Sequence, residues 1–239
     1  MELLMILKNR TVVITGASDG IGKQVALKLA EHGANLALTA RNEAGLKETQ
    51  KESEKRGAKK VKIYPCDIRN IQELKATVQK VVIDFGRIDA LLNIAGIWQK
   101  IMPVEEIEES VVDDVIQTNL IALIHTTRLF LPHLKKQKEA AIINVSSKSG
   151  IVAQAGQSVY AASKYGVRGF TEVLKVDLKG TNVRVAGVYQ SGTNTKMFSK
   201  TGENFPVEKF TNPEDLADVI VFMLSRPAKI WLHEVRVEY

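Results

Sequence analysis

The sequence predicts an α/β fold: a doubly wound, seven-stranded parallel sheet flanked by helices, in a single domain over residues 1–239. Three observations predict it. Short β-branched runs alternate with longer helical segments along the chain, the pattern of strand–helix–strand units in a parallel sheet. The first run is continuously apolar rather than alternating, as a strand covered on both faces must be. A glycine-rich turn, "TGASDGIG" at 15–22, joins that run to the first helix.

Each element follows from its own residues. "TVVIT" (11–15) is a buried strand bounded by glycine. "NLALTA" (35–40), "VKIYPC" (61–66), "IDALLN" (88–93), "AIINVS" (141–146), "NVRVAGVY" (182–189) and "LHEVRVE" (232–238) follow as strands two to seven. Helical periodicity fills 20–32, 43–56, 70–85, 108–135 and 158–178. A last helix starts in "TNPEDLADVIVFMLS". Thr211 or Asn212 can cap it, Pro213 fits its first turn, and Glu214 and Asp215 suit the positive end of its dipole. The stretch 192–210 has no period, and 193–210 reads as a substrate-binding loop.

Composition excludes several classes. Hydrophobic residues make up 45% of the chain and charged residues 25%, a globular balance that can bury one large core. The formal charge of +6 is spread along the chain, and the densest cluster, 51–60, is mixed in sign. With only 6% aromatic residues and no aromatic–basic interleaving, a nucleic-acid module is not expected. The single cysteine, Cys66, rules out an intrachain disulfide. "MELLMILKNR" has too short an apolar run for a signal peptide, and His125 and Arg128 interrupt the most apolar later run. A cytoplasmic protein is expected, with no membrane span and no metal site, since the four histidines lack ligand spacing.

The glycine turn points to a cofactor. Gly16, Gly20 and Gly22 are spaced GxxxGxG, with Ser18, Asp19 and Ile21 between them. A Cβ would obstruct the sharp exit from the strand, the close approach of a pyrophosphate, and the packing of helix on strand. Helix-start N–H groups and the helix dipole can then hold phosphates. In the first βα turn this motif marks a Rossmann-type dinucleotide site. An NAD site would place an acid at the end of the second strand. The text there is "LTARN", and Arg41, followed by Asn42, matches a 2′-phosphate instead. The expected cofactor is NADP(H). Asp19 is a point against, because a carboxylate in a phosphate loop is unfavourable unless it caps the helix.

Taken together, these residues resemble the short-chain dehydrogenase/reductase family over nearly the whole chain. Besides the glycine turn there are "CD" at 66–67, "NIAG" at 93–96, Asn119, Ser147 and "YAASK" at 160–164, with Ser147 thirteen residues before Tyr160. The tail "WLHEVRVEY" is similar to a subgroup that includes NADP-dependent 3-hydroxy acid dehydrogenases. It lacks the "DGG"-type ending of 3-oxoacyl carrier-protein reductases. The resemblance implies an oxidoreductase with Asn119, Ser147, Tyr160 and Lys164 as catalytic residues. It implies that Asp67, with Ile68 beside it, meets the adenine, and that Asn93, Ala95 and Gly96 line the adenine-ribose side.

The chemistry needs a hydride on carbon and a proton on oxygen. A free tyrosine is too weak an acid near neutral pH. Tyr160 and Lys164 share a helix face one turn apart, so the ammonium is expected to lower the tyrosine pKa. Lys164 is also expected to bind the nicotinamide ribose. Ser147 can donate to the substrate oxygen, and Asn119 by resemblance holds a water that reloads the proton. After the sixth strand the family has Pro–Gly. Here Ser191 replaces the proline, Gly192 stays, and Thr193 or Thr195 can reach the carboxamide. This weakened nicotinamide end raises an alternative: an NADP(H)-binding sensor or interaction subunit with little turnover.

The substrate pocket is expected from Ser147, Trp98, Gln99, Met102, Ile151, Val152, Gln154, Met197, Phe198 and Phe205. These suit a small to medium carbonyl or hydroxy compound with an apolar part. No cationic clamp for a carboxylate stands out, and Lys148, Lys196 and Lys200 are the candidates considered for one. The resemblance implies a homodimer or homotetramer through 108–135 and 158–178, where Ala161, Ala162, Gly166 and Gly169 permit close helix approach or pack on the sheet.

Overall fold

A computed structural model describes residues 7–226 and 230–239. Most of the opening segment weighed above as a leader therefore lies outside the described residues. Seven parallel strands form one sheet in the order β3-β2-β1-β4-β5-β6-β7. They are β1 (Thr11–Thr15), β2 (Asn35–Ala40), β3 (Val61–Pro65), β4 (Ala90–Asn93), β5 (Ala140–Val145), β6 (Val183–Gln190) and β7 (Glu234–Val237). The helices are α1 (Gly20–Glu31), α2 (Glu43–Lys55), α3 (Ile71–Phe85), α4 (Glu109–Ile116), α5 (Ala122–Leu134), α6 (Ser158–Asp177) and α7 (Pro213–Leu224). Among the described residues no helix is long and apolar enough to cross a membrane.

Alternate residues of each strand bury on opposite faces. Val12, Ile14, Leu36 and Leu38 pack with Val25 and Leu29 of α1 and with Ile220 of α7. Val13, Leu91 and Ile142 pack with Leu74 of α3, Phe130 of α5 and Leu174 of α6. Two apolar layers explain why the inner strands read as continuous hydrophobic runs. The chain leaves β3, crosses by α3 and returns beside β1 as β4. The order reverses there, so a crevice opens at the carboxyl ends of β1 and β4, where such sheets bind ligands.

Some boundaries differ from expectation. Strand β4 starts at Ala90, because Asp89 is taken up by Arg10 and Arg87 and by the Thr11 N–H at 2.8 Å. Asn212 occupies the N-cap of α7 with no side-chain cap hydrogen bond, and Pro213 follows in the first turn. The largest difference lies in 108–135. That span is helical throughout 109–134 but not regularly α-helical: a π turn at Gln117–Ile121 lies between α4 and α5.

Candidate active site

The glycine turn makes a cradle. Gly16 and Gly20 have φ of 71° and 52°, in the left-handed region. A Cβ on Gly22 would lie 2.2 Å from the Gly16 carbonyl oxygen, so only glycine fits. Helix α1 starts here with no acidic residue in its first turn. Asp19 stands at its N-cap but makes no side-chain cap bond. The capping that would have excused this carboxylate is absent. Lys200, from the loop before α7, pairs with it instead at 2.8 Å. The N–H groups at the start of α1 therefore have no capping side chain over them, as a pyrophosphate requires.

A cavity of about 1240 Å³ runs from this cradle along the ends of the strands. Ser18, Ile21, Arg41, Asn42, Asp67, Ile68, Ala95 and Gly96 line it, as does Thr195. Arg41 lines it and is exposed. Asn42 has a second duty, since its side chain accepts from Gly45 N at 3.1 Å and caps α2. The Asp67 carboxylate is held by Arg69, which donates from NH2 at 2.7 Å and from its backbone N–H at 3.0 Å. That guanidinium lowers the Asp67 pKa. Arg69 also lines the cavity, and sequence reasoning missed it. Asn93 departs from expectation: it is not among the lining residues. Its amide donates to Thr127 at 3.0 Å and to Asn144 at 2.8 Å, so the side chain ties β4 to β5 and α5 inside the protein.

The four expected catalytic residues lie close together beside Gly96 and Trp98, though none of them lines that cavity. Tyr160 and Lys164 lie on α6, both 4% exposed, and Ser147 follows β5. Ser147 lowers the pKa of the Tyr160 phenol in part, and its oxygen accepts from Ser149 N at 3.2 Å. Asn119 sits in the π turn, where its carbonyl accepts from Ile97 N at 2.8 Å and its amide donates to Ile97 O at 3.0 Å. The extra residue of a π turn rotates a side chain out of the helical pattern, which is why such turns recur at functional sites. A Cβ on Gly96 would lie 3.2 Å from Asn119 Oδ1 and 3.5 Å from Lys164 Nζ, so both polar groups face that glycine. Gln99, fully buried, accepts from Tyr160 N at 2.8 Å and fixes the start of α6.

Burial governs the titratable pair. It pushes the Tyr160 phenol up to about 12, and Ser147 offsets this only in part. It brings Lys164 down to about 8. The expectation that Lys164 lowers the tyrosine pKa is thus corrected for the protein alone. Lys164 Nζ lies over the ring, 5.6 Å from its centroid, and burial penalises both charged forms.

A second cavity, of about 730 Å³, opens beside Tyr160 and Ser147. Ile21, Trp98, Thr195 and Met197 line both cavities, which are therefore neighbours. Gln154, Phe198, Ser191, Gly192 and Thr193 line the second. Gly192 is required where it stands, because a Cβ would meet the Phe210 ring at 2.7 Å. The Trp98 ring stands edge-on to Tyr160, 4.5 Å away. Its indole N–H donates to Glu203, whose other oxygen accepts from Ile101 N at 3.0 Å. Glu203 was not singled out from sequence, since the contact spans 105 residues.

Comparison with known proteins follows the same lines. The family profile for short chain dehydrogenases matches residues 10–205. The chain is 37% identical to a 3-oxoacyl-[acyl-carrier-protein] reductase of Thermotoga maritima, over 92% of each chain. It is 30% identical to a D-beta-hydroxybutyrate dehydrogenase of Cupriavidus necator, over 94% of each. Among solved structures, a metagenomic short-chain oxidoreductase in complex with NADP superposes with a TM-score of 0.85 at 30% identity, covering 98% of both chains. A short chain dehydrogenase from Pseudomonas syringae gives a TM-score of 0.90 at 28% identity, covering 98% of this chain and 96% of that one.

Proposed function

The chain belongs to the short-chain dehydrogenase/reductase family, and from that premise we propose that it interconverts a carbonyl compound and its alcohol with NADP(H), Tyr160 acting as acid and base. It is an oxidoreductase of CH–OH groups that uses a nicotinamide cofactor. One observation carries the finer reading. Buried Tyr160 and Ser147 line a cavity that borders the glycine-cradled one along Ile21, Trp98, Thr195 and Met197.

In this reading Gly16, Gly20 and Gly22 with the start of α1 hold the pyrophosphate. Arg41 and Ser18 meet the 2′-phosphate, and Asp67 and Ile68 flank the adenine. When bound, the nicotinamide supplies or accepts the hydride. Ser147 donates to the substrate oxygen, and Tyr160 passes its proton to the same atom. The carbonyl carbon gains a hydride and its oxygen a proton, so a ketone becomes a secondary alcohol. Lys164 binds the ribose and, with Asn119, returns the proton. Thr193 and Thr195 remain the two candidates for the carboxamide, Thr195 being the one that borders both cavities. Residues 193–210 act as the substrate loop, which Lys200 and Glu203 tie to the two sides of the site.

Assembly as a dimer or tetramer is part of the proposal. It is supported by exposed Val173 and Val176 on α6, and by Gly169, where a Cβ would meet open space. Gly166 instead packs within the chain against Leu120 of the π turn, where a Cβ would meet Cδ2 at 2.6 Å. The function is tested by following cofactor oxidation against a carbonyl panel with NADPH and with NADH. Turnover with NADPH preferred supports it. Tight cofactor binding with no turnover on any carbonyl supports the sensor instead.

A further inference from the structure

Resting on that oxidoreductase reading, we infer that the substrate is an uncharged ketone bearing an aromatic ring, and that Glu238 helps to exclude its carboxylate counterparts. Two sets of contacts carry this. The first is a continuous aromatic wall. From Tyr160 it passes to Trp98 at 4.5 Å, then Phe198 at 5.2 Å, Phe205 at 5.0 Å from Phe198, and Phe210 at 5.6 Å from Phe198. Tyr239 closes it, 5.0 Å from Phe210. Most of these rings meet edge to face, and Glu203 fixes the Trp98 indole through its N–H. A planar ring entering the cavity therefore meets preset edges and faces rather than flexible aliphatic chains.

The second is the state of the cations. Lys148 follows the hydrogen-bonding Ser147 and lines the same cavity, the place from which an ammonium would clamp a substrate carboxylate. Its Nζ lies 2.8 Å from Glu238 Oε2, and Glu238 lines the cavity too. Lys200 is paired with Asp19 at 2.8 Å, on the cofactor side. Lys196 lines the cofactor cavity and not the inner one. An entering carboxylate would have to displace Glu238 from Lys148 and then lie beside that second carboxylate.

Three matched 3-oxo compounds test this: ethyl benzoylacetate, ethyl acetoacetate and acetoacetate. The expected kcat/KM falls at each step, by about tenfold on loss of the ring and further on gain of the charge. Glu238→Gln should raise kcat/KM for acetoacetate about fivefold relative to its ethyl ester, the scale of a half-exposed ion pair. Phe205→Ala, which lies away from Tyr160, should narrow the gap between the two esters by raising KM for the phenyl compound. Acetoacetate preferred over its ester in the wild type, or equal rates for the two esters, would overturn the inference and leave the oxidoreductase reading intact. So would reduction of other carbonyls with none of the three turned over. No reduction of any carbonyl with either cofactor would overturn both.

Discussion

In the proposed reading, Arg41 is the residue on which cofactor choice turns. It lines the large cavity and is exposed, and no acid takes its place at the end of β2. A charge-assisted hydrogen bond of this kind is worth about 1.5–3 kcal/mol. Arg41→Ala is therefore expected to weaken NADPH binding by about tenfold or more, while NADH affinity changes little; isothermal titration of both cofactors checks it. Asn119 is the second test at this scale. Its amide satisfies both backbone groups of Ile97. Asn119→Ala would leave two polar groups poorly paired, at about 1–3 kcal/mol each. Chemical denaturation should show the loss, and an unchanged midpoint would mean that the clamp is not stabilising. Residue identities of the site were legible because each residue type is chemically restricted. Their partners were not: Arg69 on Asp67 and Lys200 on Asp19 depend on side-chain geometry and, in the second case, on a contact across 181 residues.

At the scale of elements, the strands and the glycine turn were readable from local chemistry. β-branched runs, caps and φ-permissive glycines act over a few residues, and β1 and β2 have the boundaries expected of them. The π turn at Gln117–Ile121 was not readable. An inserted backbone register has no compositional mark, and the tie between Asn119 and Ile97 that accompanies it is a tertiary contact. Gly22 gives a sharp test of the turn. A Cβ there lies 2.2 Å from a carbonyl oxygen that cannot move without opening the turn. Gly22→Ala should cost cofactor affinity at least tenfold and lower the melting temperature, measured by titration and by thermal unfolding; retention of both would remove the cradle from the account.

Over the whole molecule, the buried pair links stability to pH. Lys164 loses its proton near 8 in the fold and at its ordinary 10.5 when unfolded. Across that window the unfolded chain holds more protons, so stability rises with pH. Tyr160 acts the other way only above its ordinary 10, since its folded value is near 12. Between about pH 8 and 10 the cofactor-free protein should gain on the order of 2 kcal/mol from Lys164, a gain missing in Lys164→Met. Denaturant titrations at several pH values check it. The order of assembly was beyond the sequence because helix faces such as that of α6 look alike whether they meet a neighbour or water; sedimentation equilibrium decides it. The central claim, that Tyr160 is the acid, is tested most directly by Tyr160→Phe in one paired measurement of NADPH binding and carbonyl reduction. Turnover reduced by about 10³-fold or more with affinity retained is the predicted result. Reduction at the wild-type rate would contradict it.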